Sequence, residues 1–228
     1  MSVVNTHFAT IDAGQGESPE ELLARIAAEV AGCRKCPLAE GRTNAVPGFG
    51  NPNARVMLVG EAPGKNEDLQ GKPFVGAAGK YLTELLGYAG LSRDDVFIAN
   101  VLKCRPPSNR NPQPDEIMAC TPFLRDQVRA MGPEFLVTMG NFSTKFILKT
   151  ERGITALRGT VHHAGRFSVL PVFHPAAAIY DRSKRELLEA DFRLLGRLLE
   201  GGSSGSAAAA SVPAAASVSA SDEKEADR

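Results

Sequence analysis

The chain has 228 residues, 43% hydrophobic, 23% charged and 6% aromatic, with 26 acids balancing 26 bases, which fits one sizeable core in a single α/β domain with appendages. No run approaches roughly 18 apolar residues, and residues 1–16 have neither a basic start nor an apolar h-region, so neither a membrane span nor a secretory leader is expected and the cytoplasm is the expected compartment. Neutrality overall conceals a slightly basic body: the last eight residues hold four acids and two bases, and the 24 bases and 22 acids before them neither demand nor exclude nucleic acid.

Residues 1–17 read as a flexible N-terminus. Ser18-Pro19-Glu20-Glu21 then opens a helix, with Ser18 as N-cap, Pro19 at the first position and Glu21 closing a capping box, and Leu22, Leu23, Ile26, Ala27 and Val30 form its buried stripe. Apolar runs predict strands over 56–59, 96–99, 135–139 and 168–173, with helical patterns over 77–89, 114–131 and 141–148 between them and a last helix over about 184–200. Strand and helix alternate, so residues 18–200 are expected to form a three-layer α/β/α domain around a central, mainly parallel, four-stranded sheet. Every residue from Gly201 to Ala220 is Gly, Ser, Ala, Val or Pro, so 201–228 reads as a disordered low-complexity tail.

The first predicted strand ends in a loop rich in glycine and proline, Gly60-Glu61-Ala62-Pro63-Gly64, then Glu67-Asp68, then Gly71-Lys72-Pro73-Phe74-Val75-Gly76. In open α/β sheets ligands bind outside the carboxyl ends of the strands, which makes Glu61 and Phe74 candidate ligand-contacting residues. Phe74 is either a core plug or a stacking platform for a flat ligand. Asn100 ends the second strand and His174 follows the fourth, so three strands each finish in a polar residue at one edge. An amide there can read the edge of a nucleobase or hold its own loop as an Asx turn. His162 and His163 have no partner pattern and read as surface or edge-strand residues. No Walker lysine and no G-x-G-x-x-G is present, so the usual modes of nucleotide phosphate binding are not expected.

The only four cysteines are Cys33-x2-Cys36, at the end of the first helix, and Cys104-x15-Cys120. They can converge only if that helix folds back over the second pair. A zinc ribbon usually closes with a second short-spaced pair, so a 4Fe-4S cluster is at least as natural as zinc, and inert buried thiols are the remaining alternative. Lys103, Arg105 and Arg110, and separately Arg182, Lys184 and Arg185, form basic clusters beside these loops.

Taken together, Gly60-Glu61-Ala62-Pro63-Gly64, Glu67-Asp68, Pro73-Phe74-Val75-Gly76, Asn100-Val101-Leu102-Lys103-Cys104-Arg105-Pro106-Pro107 and His174-Pro175-Ala176 resemble the family 4 uracil-DNA glycosylases, the iron-sulfur branch of that superfamily. The resemblance spans about residues 20–200. It implies a base-excision-repair hydrolase, monofunctional and monomeric, that flips uracil from single- or double-stranded DNA and cleaves its N-glycosidic bond. Carried over residue by residue, it implies that Gly60, Glu61 and Ala62 line the uracil pocket, Phe74 stacks on the base, Asn100 reads its pairing edge and His174 faces its O2. Glu67 would crowd C5 against a thymine methyl, and Asn109 would join the site. Glu61 would either stabilise the oxocarbenium or orient water. Cys33, Cys36, Cys104 and Cys120 would ligate a structural 4Fe-4S cluster, with no catalytic metal. Many relatives carry a leucine pair followed by arginine where this chain has Ala176-Ala177-Ala178-Ile179-Tyr180, which leaves Ile179 and Tyr180 as candidate DNA wedges. One iron-sulfur relative traps uracil covalently and carries a basic, histidine-containing insertion after the second strand; residues 103–112 here contain no histidine.

Overall fold

The computed structural model describes residues 16–201. Both terminal extensions, and with them most of the expected flexible start and disordered tail, lie outside these residues. The first half of the chain forms helix α1 (Pro19–Gly32), a short α2 (Leu38–Gly41), strands β1 (Phe49–Gly50) and β2 (Val56–Gly60), helices α3 (Lys65–Gln70) and α4 (Ala77–Tyr88), strand β3 (Val96–Asn100) and helix α5 (Pro114–Met131). The second half forms β4 (Phe135–Met139), α6 (Asn141–Leu148), α7 (Ile154–Leu157), β5 (His162–Ala164), β6 (Phe167–Val172), α8 (Ala177–Tyr180) and α9 (Ser183–Gly201).

Local sequence explains the helix starts. The Ser18 hydroxyl accepts from the Glu21 amide while the Glu21 carboxylate accepts from the Ser18 amide at 2.8 Å, the reciprocal box expected from the sequence. Gln113 and Glu116 build the same device at α5, with Pro114 preset for the first turn.

The sheet has six strands in the order β1-β3-β2-β4-β6-β5. The four parallel strands are those expected. The two further ones are antiparallel edges, β1 against β3 and β5 against β6. Both are too short, at two and three residues, to show an apolar period of their own. β5 places His162 and His163 in an edge strand. Pro171 sits in β6 beyond the last pairing with β5, where no ladder bond is asked of its missing N–H on that side.

All five residues of β2, β3 and β4 are buried, because both faces of the sheet are covered. Val56 and Leu58 pack with Leu82, Leu85 and Leu86 of α4 and Leu188 and Phe192 of α9. Met57 and Val59 point the other way, to Leu23, Ile26 and Val30 of α1 and Phe123 and Leu124 of α5. This alternation fixes the register: Gly60 lies opposite Asn100, so a one-residue slip would turn both core faces inside out. The chain leaves β2 toward β3 on one side and continues from β4 to β6 on the other. The strand order therefore reverses between β2 and β4, where a ligand crevice is expected outside the carboxyl ends. No helix among the described residues is long and apolar enough to cross a membrane.

Candidate functional site

Four segments meet at the carboxyl edge of the sheet. Asn100 ends β3 with 2% of its surface exposed, and its side-chain oxygen is buried without a hydrogen-bond partner. A Cβ on Gly60 would stand 2.3 Å from that oxygen and 3.0 Å from the Phe74 ring, so only glycine lets amide and ring close over this backbone. Phe74 is held at φ +52°, in the left-handed region that a bulky side chain rarely occupies. The Glu67 carboxylate accepts from the amides of Val75 (2.9 Å) and Gly76 (3.0 Å), the two residues that follow it.

The Phe74 ring lies 5.5 Å from the His174 ring, tilted by 30°. The Ala176 amide donates to His174 Nδ1 at 3.2 Å, so the neutral ring carries its proton on Nε2. Burial pushes the His174 imidazole down to about 4, against a smaller opposing pull from Glu67, and the ring is neutral at physiological pH. The corner thus combines an aromatic plate, an amide with an unmet acceptor and a neutral N–H donor.

Glu61 and Ala62 continue β2 outward, with the Gly60 and Glu61 carbonyls accepting from Val101 (3.0 Å) and Leu102 (2.9 Å). Glu61 also lines a groove of about 360 Å³ that runs past Asn111, Asn141, Phe142, Lys145 and Lys149, at the reversal between β2 and β4. Phe74, Asn100 and His174 lie outside the groove lining. Asn109 is not gathered into the corner: its side chain accepts from Arg105 at 2.8 Å, on a loop that holds Ser108 and Asn109 at positive φ.

The cysteines converge on one side of this edge. Cys104 and Cys120 form a buried apolar cluster with Leu38 and Leu102, against which Cys36, Ala62 and Ile117 pack. Cys33 ends α1, close enough that its sulfur bears on both Cys36 and Cys104. Burial pushes the Cys36 and Cys104 thiols up and Cys120 to about 11. Hydrogen bonds oppose this: Arg42 Nη1 donates to Cys104 Sγ at 3.2 Å, and backbone amides of Leu38 and Lys103 face Cys36 and Cys120. Among the described residues no three His, Cys, Asp or Glu side chains close on a single metal ion. The donor set is nevertheless one that a sulfur-ligated centre requires: three thiols on one apolar cluster, Cys33 beside them, and hydrogen-bond donors directed at three of the four.

The sequence groups Lys103 with Arg105 and Arg110 in a basic cluster, whereas the structure buries it. Lys103 is 1% exposed; its Nζ donates to the Asn100 carbonyl (2.8 Å) and to Gln127 Oε1 (2.7 Å), and Gln127 in turn donates to the Pro47 carbonyl. Burial pushes its ammonium down to about 7. The available signal was its setting, a lone lysine in the run Val101-Leu102-Lys103-Cys104. Arg110 is likewise engaged, by the buried Glu116 at 2.5 Å. In the second cluster Arg185 meets Glu84 and Glu189, each at 3.3 Å. Just ahead of it, Ile179 and Tyr180 on α8 are 48% and 86% exposed.

Residues 47–195 match the model of the uracil DNA glycosylase superfamily. A type-4 uracil-DNA glycosylase of Sulfurisphaera tokodaii is 49% identical over 77% of this chain and 84% of its own length. One of Archaeoglobus fulgidus is 46% identical over 78% and 94%. A type-5 uracil-DNA glycosylase of Pyrobaculum aerophilum is more distant, 34% identical over 58% and 65%. The match to the superfamily covers every strand of the sheet and the whole Gly60–Asn100–His174 edge, and with the higher identity to the type-4 proteins, the chain belongs to the type-4 uracil-DNA glycosylases.

Proposed function

We propose that this chain excises uracil from DNA in the cytoplasm, as a monomer, releasing the free base and leaving an abasic site. The observation that carries the proposal is the unpaired Asn100 oxygen. An orphaned buried acceptor costs about 1–3 kcal/mol, a penalty relieved when a ligand donates to it. Uracil presents N3–H beside the O4 acceptor, a pair that one amide meets with its oxygen and its NH2. Cytosine presents the reversed pair, an N3 acceptor beside an N4–H2 donor, which the amide meets only when turned over.

The remaining roles follow from the chemistry of the bond. Cleavage places negative charge on the departing uracil and positive charge on the sugar. A donor at O2 stabilises the anion, and the neutral His174, with its proton on Nε2, offers one. Gly60 gives the base close access to the backbone, Phe74 stacks on its face, and Glu67, fixed beside Phe74, walls off a C5 methyl. Glu61 stands between the base corner and the groove, where its carboxylate supports the oxocarbenium or orients water. The groove's Lys145 and Lys149 suit the phosphates of the strand that carries the extruded nucleotide. In duplex DNA the base must first be flipped out, at a cost of a few kcal/mol.

Cys33, Cys36, Cys104 and Cys120 would hold a 4Fe-4S cluster whose contribution is structural, since hydrolysis moves no electrons. The spacing, one short pair and one x15 pair instead of two short-spaced pairs, suits that centre at least as well as a zinc ribbon. No step here uses a catalytic metal.

The test is release of free uracil from a uracil-containing oligonucleotide under multiple turnover. The wild type should release it without added metal, and Asn100→Ala should lower kcat/KM by about 10³. A lasting protein–DNA adduct, or no release by the wild type, would sink the assignment.

A further inference from the structure

The Phe74–Val75 peptide is gripped from both sides. Its N–H, that of Val75, points at the Glu67 carboxylate. Its carbonyl, that of Phe74, accepts from Arg93 Nη2 at 2.6 Å, and the same nitrogen reaches the Gly79 carbonyl at 2.8 Å. Arg93 Nε donates to Thr83 Oγ1 at 2.8 Å, so three bonds fix the guanidinium against the first turns of α4. Arg93 comes from the 3-10 turn Arg93–Asp95, which leads into β3, and so ties the loop to the strand that carries Asn100.

Arg93 is half-buried, and among the described residues its hydrogen-bond partners, Thr83 Oγ1 and the Phe74 and Gly79 carbonyls, are all neutral oxygens. Burying a cation without a carboxylate is unfavourable, and desolvation accordingly lowers its affinity for its proton. The arrangement does have a use in orienting a dipole. With a cation at the carbonyl and an anion at the N–H, one orientation of the peptide is stabilised and its flipped form is opposed at both ends. The peptide held in this way directly follows Phe74, which sits at a left-handed φ of +52°, a conformation that costs a non-glycine residue about 1–2 kcal/mol, and anchoring the peptide opposes the residue's return to φ < 0. Gly79 completes the lock: a Cβ there would stand 1.8 Å from the Phe74 oxygen.

We infer that Arg93 is a positioning residue: with Glu67 it clamps the Phe74–Val75 peptide and so holds the Phe74 ring ready to stack on the extruded base. This rests on the uracil-excision function proposed above, and it gives Glu67 a second task besides facing C5. Left unanchored, Phe74 would relax toward φ < 0 and swing its ring off its place beside His174.

The experiment combines kinetics with hydrogen exchange. Arg93→Met keeps the length of the stem and removes the fork; inhibition by free uracil should weaken about tenfold, the size of one lost stacking contact. Arg93→Lys, which can point at one carbonyl but not bridge two, should recover part of the loss, and it carries the test if the methionine variant fails to fold. In a Phe74→Ala background the same substitution should change inhibition by less than about twofold, because the residue acts through the ring. A full tenfold loss persisting in that background would overturn the inference. Exchange of the Val75 and Gly76 amides reports the clamp independently of turnover. Faster exchange in Arg93→Met supports it even if the wild type releases no uracil, in which case only the excision function fails; unchanged exchange overturns it.

Discussion

The Asn100–His174 corner and the cysteine corner share one loop, Gly60-Glu61-Ala62, yet are held together by different means. In the first, Asn100 and His174 stand at or just past the ends of strands whose pairing is fixed by alternating buried side chains on two faces. In the second, the end of α1, a connecting loop and the middle of α5 are gathered outside the sheet, by a small apolar cluster and by Arg42, which bridges Cys104 and the Ala31 carbonyl. The first geometry is inherited from the sheet, whereas the second needs a cross-link of its own. Lys103 joins them: its one ammonium bonds the Asn100 carbonyl and Gln127 of α5, and its neighbour is Cys104.

The contrast is broken most forcefully at Cys104. Cys104→Ala should abolish iron binding and lower stability by on the order of 4 kcal/mol, roughly 10 °C in Tm for a chain of this size. Amides of β2, β3 and β4 should retain most of their exchange protection, because their burial owes nothing to the thiols. Unchanged iron content and Tm would mean that the cysteines are inert, and equal loss of protection throughout would mean that the two corners are one cooperative unit.

A second test addresses the base corner through pH. His174 has a folded-state pKa of about 4 against 6.5 for an unperturbed imidazole, so between these values the unfolded chain binds a proton that the folded chain refuses. This contribution to stability is complete above pH 6.5 and is lost as pH falls toward 4, with a slope of at most about 1.4 kcal/mol per pH unit. His174 is only half-buried, which makes that slope an upper limit. His174→Asn should flatten the dependence measured by urea denaturation between pH 4 and 6.5. A wild-type profile as flat as the variant's would show an imidazole in ordinary contact with water.

The four parallel strands and the long helices were legible because burial on both faces and 3.6-residue periodicity leave strong patterns: Val56-Met57-Leu58-Val59 and the stripe of α1 needed no tertiary information. The placement of Gly60, Asn100 and His174 at one edge followed from strand ends alone. Arg93 and Lys103 did not, since each looks like an ordinary surface cation until the fold shows which carbonyls it reaches across gaps of 19 and 3 residues. The left-handed Phe74 was equally hidden, because the residues that hold the peptide after it come from α3 and from the turn before β3. Asn109, which the resemblance adds to the site, has its side-chain oxygen taken by Arg105, a partner that its sequence neighbourhood does not reveal.

The smallest effect concerns α8, which carries the two candidate DNA wedges outside either corner. Ala178 is buried beneath this short helix, and Tyr180 presents the largest free apolar face, 86% exposed against 48% for Ile179. A flipped nucleotide leaves a gap in the stack, and an aromatic ring that fills it recovers about 1–3 kcal/mol per base step. Tyr180→Ala should therefore slow excision from duplex DNA about tenfold while leaving single-stranded substrate within about twofold, because an unpaired base leaves no stack to refill. Ile179→Ala should do less on both. If Ile179→Ala were the more damaging on duplex, the wedge would be the half-buried aliphatic side chain, and Tyr180 would touch the DNA only at its backbone; equal losses on both substrates would assign α8 to strand grip instead of base extrusion.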